Sequence, residues 1–302
     1  MKNKKNQKQS FLFRNKIRKQ INKNKYLKSS GYYLFDKYFK LTKSLHVEPD
    51  YLIIGAPRSA STSLYQYLIQ HPCITPAITK QIHYFDRYFY KGFSWYKSCM
   101  PYKIEKFYKK NIIKENFITG EATVHYFLHP LAPERIFNFL PNVKLILTLR
   151  DPVERAYSHW NMEFQNKNET LSFEDAIKIE ESRMDGEIEK LMDDDRYESI
   201  NYPHRAYLTT GRYIEHLEKW LKFFPSKQFC IIDSDELARN PSTQFNKIIE
   251  FLELPKFDLV NYPKLHSRNY SKMDLKIREE LKEYYKPYNN KLFSMIGKNF
   301  EW

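Results

Sequence analysis

Apolar residues along this chain fall into two alternating rhythms. Short runs at 51–55, 117–120, 143–149 and 228–232 are rich in Ile, Leu, Val or Phe, and each is followed by polar or turn residues. Such runs predict strands buried on both faces. Between them, apolar positions spaced by three and four predict helices at 61–70, 131–139, 152–166, 172–184, 213–223, 241–252 and 272–295, the last interrupted near Pro287. Strands alternating with helices predict an α/β fold, a single domain whose central parallel sheet is flanked by helices on both faces. The stretch 185–201, with Asp193, Asp194 and Asp195, reads as an exposed acidic loop or frayed helix, and no internal repeat is visible.

The first strand carries the strongest chemical signal. Its apolar run ends at Gly55, a short loop follows with one cation, Arg58, and Ser61-Thr62-Ser63 opens a helix. A strand feeding a tight loop into a helix N-terminus aims backbone N–H groups and the positive end of the helix dipole at one point, which suits a phosphate. The triphosphate loop G-x-x-x-x-G-K-[S/T] requires Gly and Lys where this chain has Ala60 and Ser61. The plain alternative is a βα turn whose hydroxyls cap the helix. A second cradle of the same build follows the run at 143–149: Arg150-Asp151-Pro152 opens a helix, and Ser158 stands two turns along it. Ligands of open α/β sheets sit outside the carboxyl ends of the strands, so both loops can share one ligand phosphorylated at two positions.

The loop at 55–63 resembles the 5′-phosphate loop of sulfotransferases that use 3′-phosphoadenosine 5′-phosphosulfate (PAPS), and Arg150 to Ser158 resembles their 3′-phosphate motif. Further blocks are similar to the heparan-sulfate (glucosaminyl N- and 3-O-) branch: Gln81-Ile-His-Tyr-Phe-Asp86, Gly92-Phe-Ser-Trp-Tyr96, Gly120-Glu-Ala-Thr-Val-His-Tyr126, and Ala206 through Tyr213. The blocks run in order from about Tyr51 to Trp302. The resemblance implies a P-loop-like domain that takes PAPS as donor and releases 3′-phosphoadenosine 5′-phosphate (PAP), without a metal. It implies Arg58, Ser59, Ala60, Ser61, Thr62 and Ser63 around the 5′-phosphate, Arg150 and Ser158 on the 3′-phosphate, and Tyr213 and Arg268 as further cofactor residues. The expected reaction moves a sulfuryl group to a hydroxyl or amine, with a carbohydrate acceptor favoured.

Where the resembled enzymes have a Glu base, this chain has Gln81, which cannot accept a proton. His83 is chemically qualified for that task, with Asp86 beside it and Glu121 as a further carboxylate. Arg58 serves as an electrostatic stabiliser, because its guanidinium does not give up a proton near neutral pH. Ala60 replaces a loop Gly, Ala122 a Lys, and Val124 a Pro, so the donor side matches better than the acceptor side. Two alternatives stay open: a PAPS- or polyanion-binding protein on a weakened sulfotransferase fold, and a P-loop kinase.

Charge divides the chain. Residues 1–28 hold eleven Lys and Arg and no acid, which accounts for most of the formal net charge of +14 over 302 residues. This segment is expected to be a disordered basic tail able to contact an anionic surface. An aromatic-rich lead-in spans 29–50, and the catalytic domain spans 51–302. No window has the run of about 18 apolar residues that a membrane span needs, and the N-terminus lacks a signal-peptide pattern. A soluble, cytoplasmic location is expected. Cys73, Cys99 and Cys230 suit buried positions in a reducing compartment. There is no Cys/His spacing of metal-site type: His71 and His83, or His125 and His129, sit in different contexts and share no ligand logic.

Overall fold

The computed structural model describes residues 42–263 and 272–302. The tail at 1–28, the part of the lead-in at 29–41, and Arg268 lie outside the described residues. Five strands form one sheet: β1 (Tyr51–Gly55), β2 (Ile74–Pro76), β3 (Ile118–Glu121), β4 (Lys144–Leu149) and β5 (Phe229–Asp233). Their order is β2-β3-β1-β4-β5, and every pairing is parallel. β1 lies at the centre. The chain leaves it toward β2 and β3 on one side and then crosses to β4 on the other, which makes the carboxyl end of β1 the switch point where ligands bind.

Alternate side chains of each strand enter opposite layers. Leu52 and Ile54 join Leu145, Leu147 and Leu149 on one face; Tyr51 and Ile53 join Ile146 and Ile232 on the other. Among the described residues the helices of two turns or more are α1 (Ser61–Leu68), α2 (Ala132–Phe139), α3 (Pro152–Gln165), α4 (Tyr213–Leu221), α5 (Pro241–Phe251) and α6 (Leu275–Ile296). α2 and α4 cover the first face through Ala132, Ile136, Ile214, Leu217 and Trp220. α1 and α5 cover the second through Leu64, Leu68, Phe245, Ile248 and Ile249. A third cluster joins Val153, Ala156 and Tyr157 of α3 to Leu281 and Tyr285 of α6. The three cysteines are buried and unpaired, and no helix among the described residues is long and apolar enough to cross a membrane.

Four expectations need correction. β2 was not foreseen: it is a three-residue strand ending in Pro76, tolerated because it is the sheet edge, where a missing N–H breaks no ladder. α6 runs through Pro287 without interruption; the proline faces solvent, while Leu281, Tyr285 and Leu292 anchor the buried side. The helix expected at 172–184 is broken into Phe173–Lys178 and Glu180–Met184. There the Glu180 carboxylate is drawn aside to accept from the backbone N–H groups of Leu208 (2.6 Å) and Thr209 (2.7 Å). The acidic stretch is not simply a solvated loop. It holds a helix, Glu187–Asp193, whose Glu187 is buried and accepts from Tyr197 (3.0 Å) and Ser199, and Asp195 pairs with Arg135.

Candidate active site

Four neighbouring strands, β2, β3, β1 and β4, end side by side, and the segments that leave them deliver the candidate residues. β1 ends at Gly55, where a Cβ would stand 2.5 Å from that of Phe127; only glycine lets the segment after β3 close over the loop, with the Phe127 N–H donating to the Ile54 carbonyl at 2.9 Å. The loop then turns through two left-handed residues, Arg58 (φ 69°) and Ala60 (φ 59°). Both carry a Cβ in a conformation that glycine adopts more cheaply. The turn sets Ser61, Thr62 and Ser63 in the first turn of α1, where N–H groups lack helical partners. Ser59 is fully buried beneath them.

Arg58 reaches across to the second cradle. Its Nε and Nη2 donate to Ser158 Oγ of α3 at 3.2 and 3.0 Å, and its Nη1 lies 3.4 Å from the Met162 sulfur. The loops after β1 and β4 therefore meet at one cation and one hydroxyl. Arg150 leaves the end of β4, and its carbonyl accepts from the Tyr213 hydroxyl at 2.9 Å. Tyr213 is buried behind the loop, so it supports Arg150 from beneath. Asp151 caps α3 by accepting from the Val153 N–H at 2.9 Å.

The third wall comes from the segment after β2 and from the end of β3. Lys80, one residue ahead of the Gln81–Asp86 block and not among the sequence-predicted site residues, donates from Nζ to Thr62 Oγ1 at 2.6 Å. Its backbone carbonyl accepts from the Ala122 N–H at 2.7 Å, so the lysine stands beside the position where the resembled enzymes carry theirs. Burial lowers its pKa from 10.5 to about 8, with Glu121 pulling the other way. The signal that could have found Lys80 was its place one residue ahead of a recognised block.

His83 is held from several sides. Its backbone is left-handed (φ 57°), a strained state for a residue with a Cβ. Thr123 Oγ1 pins that turn by accepting from the N–H groups of Ile82 (3.0 Å) and His83 (3.2 Å), and it donates to Glu121 Oε2 at 2.7 Å. The His83 Nδ1 lies 2.8 Å from Asp86 Oδ2. Burial alone would raise the Asp86 pKa, but the hydrogen bond and charge of His83, with His125 and His129 nearby, hold it below the usual carboxylate range. An ionised Asp86 accepts only, so His83 Nδ1 donates to it and Nε2 is the ring nitrogen left to face outward from the pair.

Glu121 is fully buried beneath this layer, and burial raises its pKa to about 7 against the hydrogen bonds of Thr123 and Tyr126. Two histidines that are far apart in sequence meet here: the rings of His83 and His125 lie 5.6 Å apart, and with Asp86 they bring ligand-type atoms within 4.8 Å of one another. Burial holds His125 at about 4, as a neutral imidazole. A cleft beside the dyad is lined by Asp86, Arg87, His125, Tyr197, Glu198 and Tyr202, so the acidic stretch borders it.

The sulfotransferase domain family matches residues 48–290. The chain is 29% identical over 278 residues to the Caenorhabditis elegans bifunctional heparan sulfate N-deacetylase/N-sulfotransferase 1, covering 83% of this chain and 30% of that protein. It is 27% identical over 278 residues to the mouse heparan sulfate glucosamine 3-O-sulfotransferase 5, covering 84% of this chain and 74% of that protein. The crystal structure of a sulfotransferase from Alicyclobacillus acidocaldarius superposes with a TM-score of 0.63 at 25% identity, over 84% of this chain and 98% of that one. With a family match over most of its length and the family's fold, this chain belongs to the sulfotransferases and is a transferase by class.

Proposed function

We propose that the chain transfers a sulfuryl group from PAPS to a hydroxyl or amine of a carbohydrate acceptor. The observation that carries this is the meeting of the two cradles at Arg58 and Ser158, a spacing that suits a nucleotide with phosphates at both the 5′ and 3′ positions. Ser61, Thr62, Ser63 and the N–H groups opening α1 hold the 5′-phosphate; Ser59 and Ala60 shape the loop that presents them. Arg150 and Ser158 hold the 3′-phosphate, Tyr213 supports Arg150, and Arg268 belongs to the same cofactor set by resemblance. PAPS, when bound, supplies the sulfuryl group and a phosphate leaving group.

The residues of the chain manage charge and one proton. Arg58 and Lys80 approach the 5′-phosphate from opposite sides and stabilise the negative charge that grows there. Arg58 keeps its proton throughout, whereas Lys80, titrating at about 8, is able to give one up. His83 Nε2 takes the proton of the acceptor group, and Asp86 fixes the tautomer and stabilises the imidazolium that forms. Glu121 and Thr123 keep the strained His83 turn in place. Glycan acceptors are the named substrates of the N- and 3-O-sulfotransferase relatives, which supports a carbohydrate here.

Isothermal titration in the presence of a chelator tests the donor side: PAP should bind, and ATP should bind markedly more weakly. Equal affinity for the two nucleotides would overturn the two-cradle assignment. Transfer of radiolabel from PAPS to a panel of glycans, lipids and peptides tests the acceptor side. Binding of PAP with no transfer to any acceptor would instead favour a nucleotide-binding protein on a weakened fold.

A further inference from the structure

The segment between the Trp95 region and β3 is built inside out. A helix at Lys103–Phe107 continues as a π-helix at Tyr108–Ile113. Lys109 faces inward, 7% exposed, with its Nζ donating to the Pro72 carbonyl (2.9 Å) and Thr75 Oγ1 (3.2 Å). The apolar residues face outward: Ile104 is 70% exposed, Ile112 62%, Phe107 55% and Tyr108 53%. An amphipathic helix on a soluble body normally does the reverse, and a continuous apolar stripe facing water marks a docking surface. Lys103, Lys110 and Lys114 are exposed around the stripe.

Position and charge identify what it docks on. The segment leads into the amino end of β3, across the sheet from the carboxyl ends that carry the candidate active site. The segment leading into β1 is fastened to the same place: His46 stacks on Tyr102 at 4.2 Å, and Asp50 lies 4.0 Å from Lys106. The eleven positive charges of residues 1–28 precede that attachment in sequence. We infer that the Lys103–Ile113 segment is a peripheral membrane-binding element that seats Ile104, Phe107, Tyr108 and Ile112 in the headgroup boundary of an anionic phospholipid surface. Apolar and aromatic side chains enter the interface, and the flanking lysines meet the lipid charge. The active site then faces away from the bilayer, open to acceptor. This does not rest on the proposed transfer reaction.

Co-sedimentation of the full chain with phosphatidylcholine vesicles, with and without phosphatidylserine, tests it. The chain should pellet with the anionic vesicles, and salt should weaken the binding. Phe107→Ser with Ile112→Ser should lower partitioning more than tenfold. So should Lys103→Glu with Lys110→Glu, since each lysine near an anionic surface is worth about fivefold. All four side chains are exposed, so thermal melting and PAP binding should match the parent. Two results would overturn the inference: parent protein that stays in the supernatant, or variants that partition like the parent. Binding to immobilised heparin without binding to vesicles would also overturn it and assign the basic surface to a polyanion.

Discussion

Lys80 Nζ lies 2.6 Å from Thr62 Oγ1, a contact that places an ammonium at the N-terminus of α1 from a segment eighteen residues along. The loop after β1 thus has two cations around it, Arg58 from within and Lys80 from outside, and only the second has a pKa near the working range.

That pair sets the alkaline behaviour. Lys80 is protonated below about pH 8 because burial has lowered its pKa from 10.5 to that value. Its charge is lost as pH rises through 8. The profile of kcat/KM should therefore fall above about pH 8. Lys80→Arg should move that fall beyond pH 10, and Lys80→Met should abolish it while lowering the rate by about 10²-fold. An unchanged alkaline limb in Lys80→Arg would remove Lys80 from the chemistry.

His83→Ala should reduce turnover by roughly 10²–10⁴-fold while the affinity for PAP barely moves. Asp86→Asn should act in the same direction by releasing the tautomer. Gln81→Glu, which restores the carboxylate of the related enzymes, should preserve or raise turnover. Steady-state rates on an identified acceptor decide this. Full activity of His83→Ala would move the search to Asp86 or Glu121.

Arg150→Ala should weaken PAP far more than adenosine 5′-phosphosulfate, which has no 3′-phosphate. A charge-assisted contact of this kind is worth about 1.5–3 kcal/mol, or roughly 10- to 150-fold in affinity. Competition titrations with the two nucleotides measure the difference. Equal losses would make Arg150 structural.

Glu121 links stability to pH. Burial raises its pKa from 4.5 to about 7 in the folded chain, so between those values the folded state binds the proton and the unfolded state does not. Its contribution to stability is present at the acid end and is lost as pH rises from about 4.5 through 7. Glu121→Gln should flatten that slope, and its stability relative to the parent should improve across the interval. Denaturant unfolding of both proteins from pH 5 to 8 checks this. Parallel curves would mean that Glu121 is ionised throughout.

Local patterns in the chain were enough to locate four of the strands, the parallel α/β layout, and the two strand–loop–helix units that follow β1 and β4. The reason is physical: a strand, the loop that leaves it and the helix that follows are contiguous, and buried strands are written in largely apolar runs. Arg58, Arg150 and Ser158 were legible because each sits at a definite offset from such a run. What the tertiary structure alone decided depends on contacts between distant segments. Arg58 meets Ser158 one hundred residues away, and Thr123 pins the His83 turn from the end of β3. Lys80 reaches Thr62 because the segment after β2 lies over α1. His125 enters the dyad's surroundings only because two blocks fold onto one another. The same holds for local preferences that packing overrides. Pro287 stays inside a helix anchored by Leu281, Tyr285 and Leu292, and Ala60 accepts the left-handed turn that the loop requires. Propensity is worth about 1–3 kcal/mol at such positions, less than the packing of a buried helix face or a closed loop supplies.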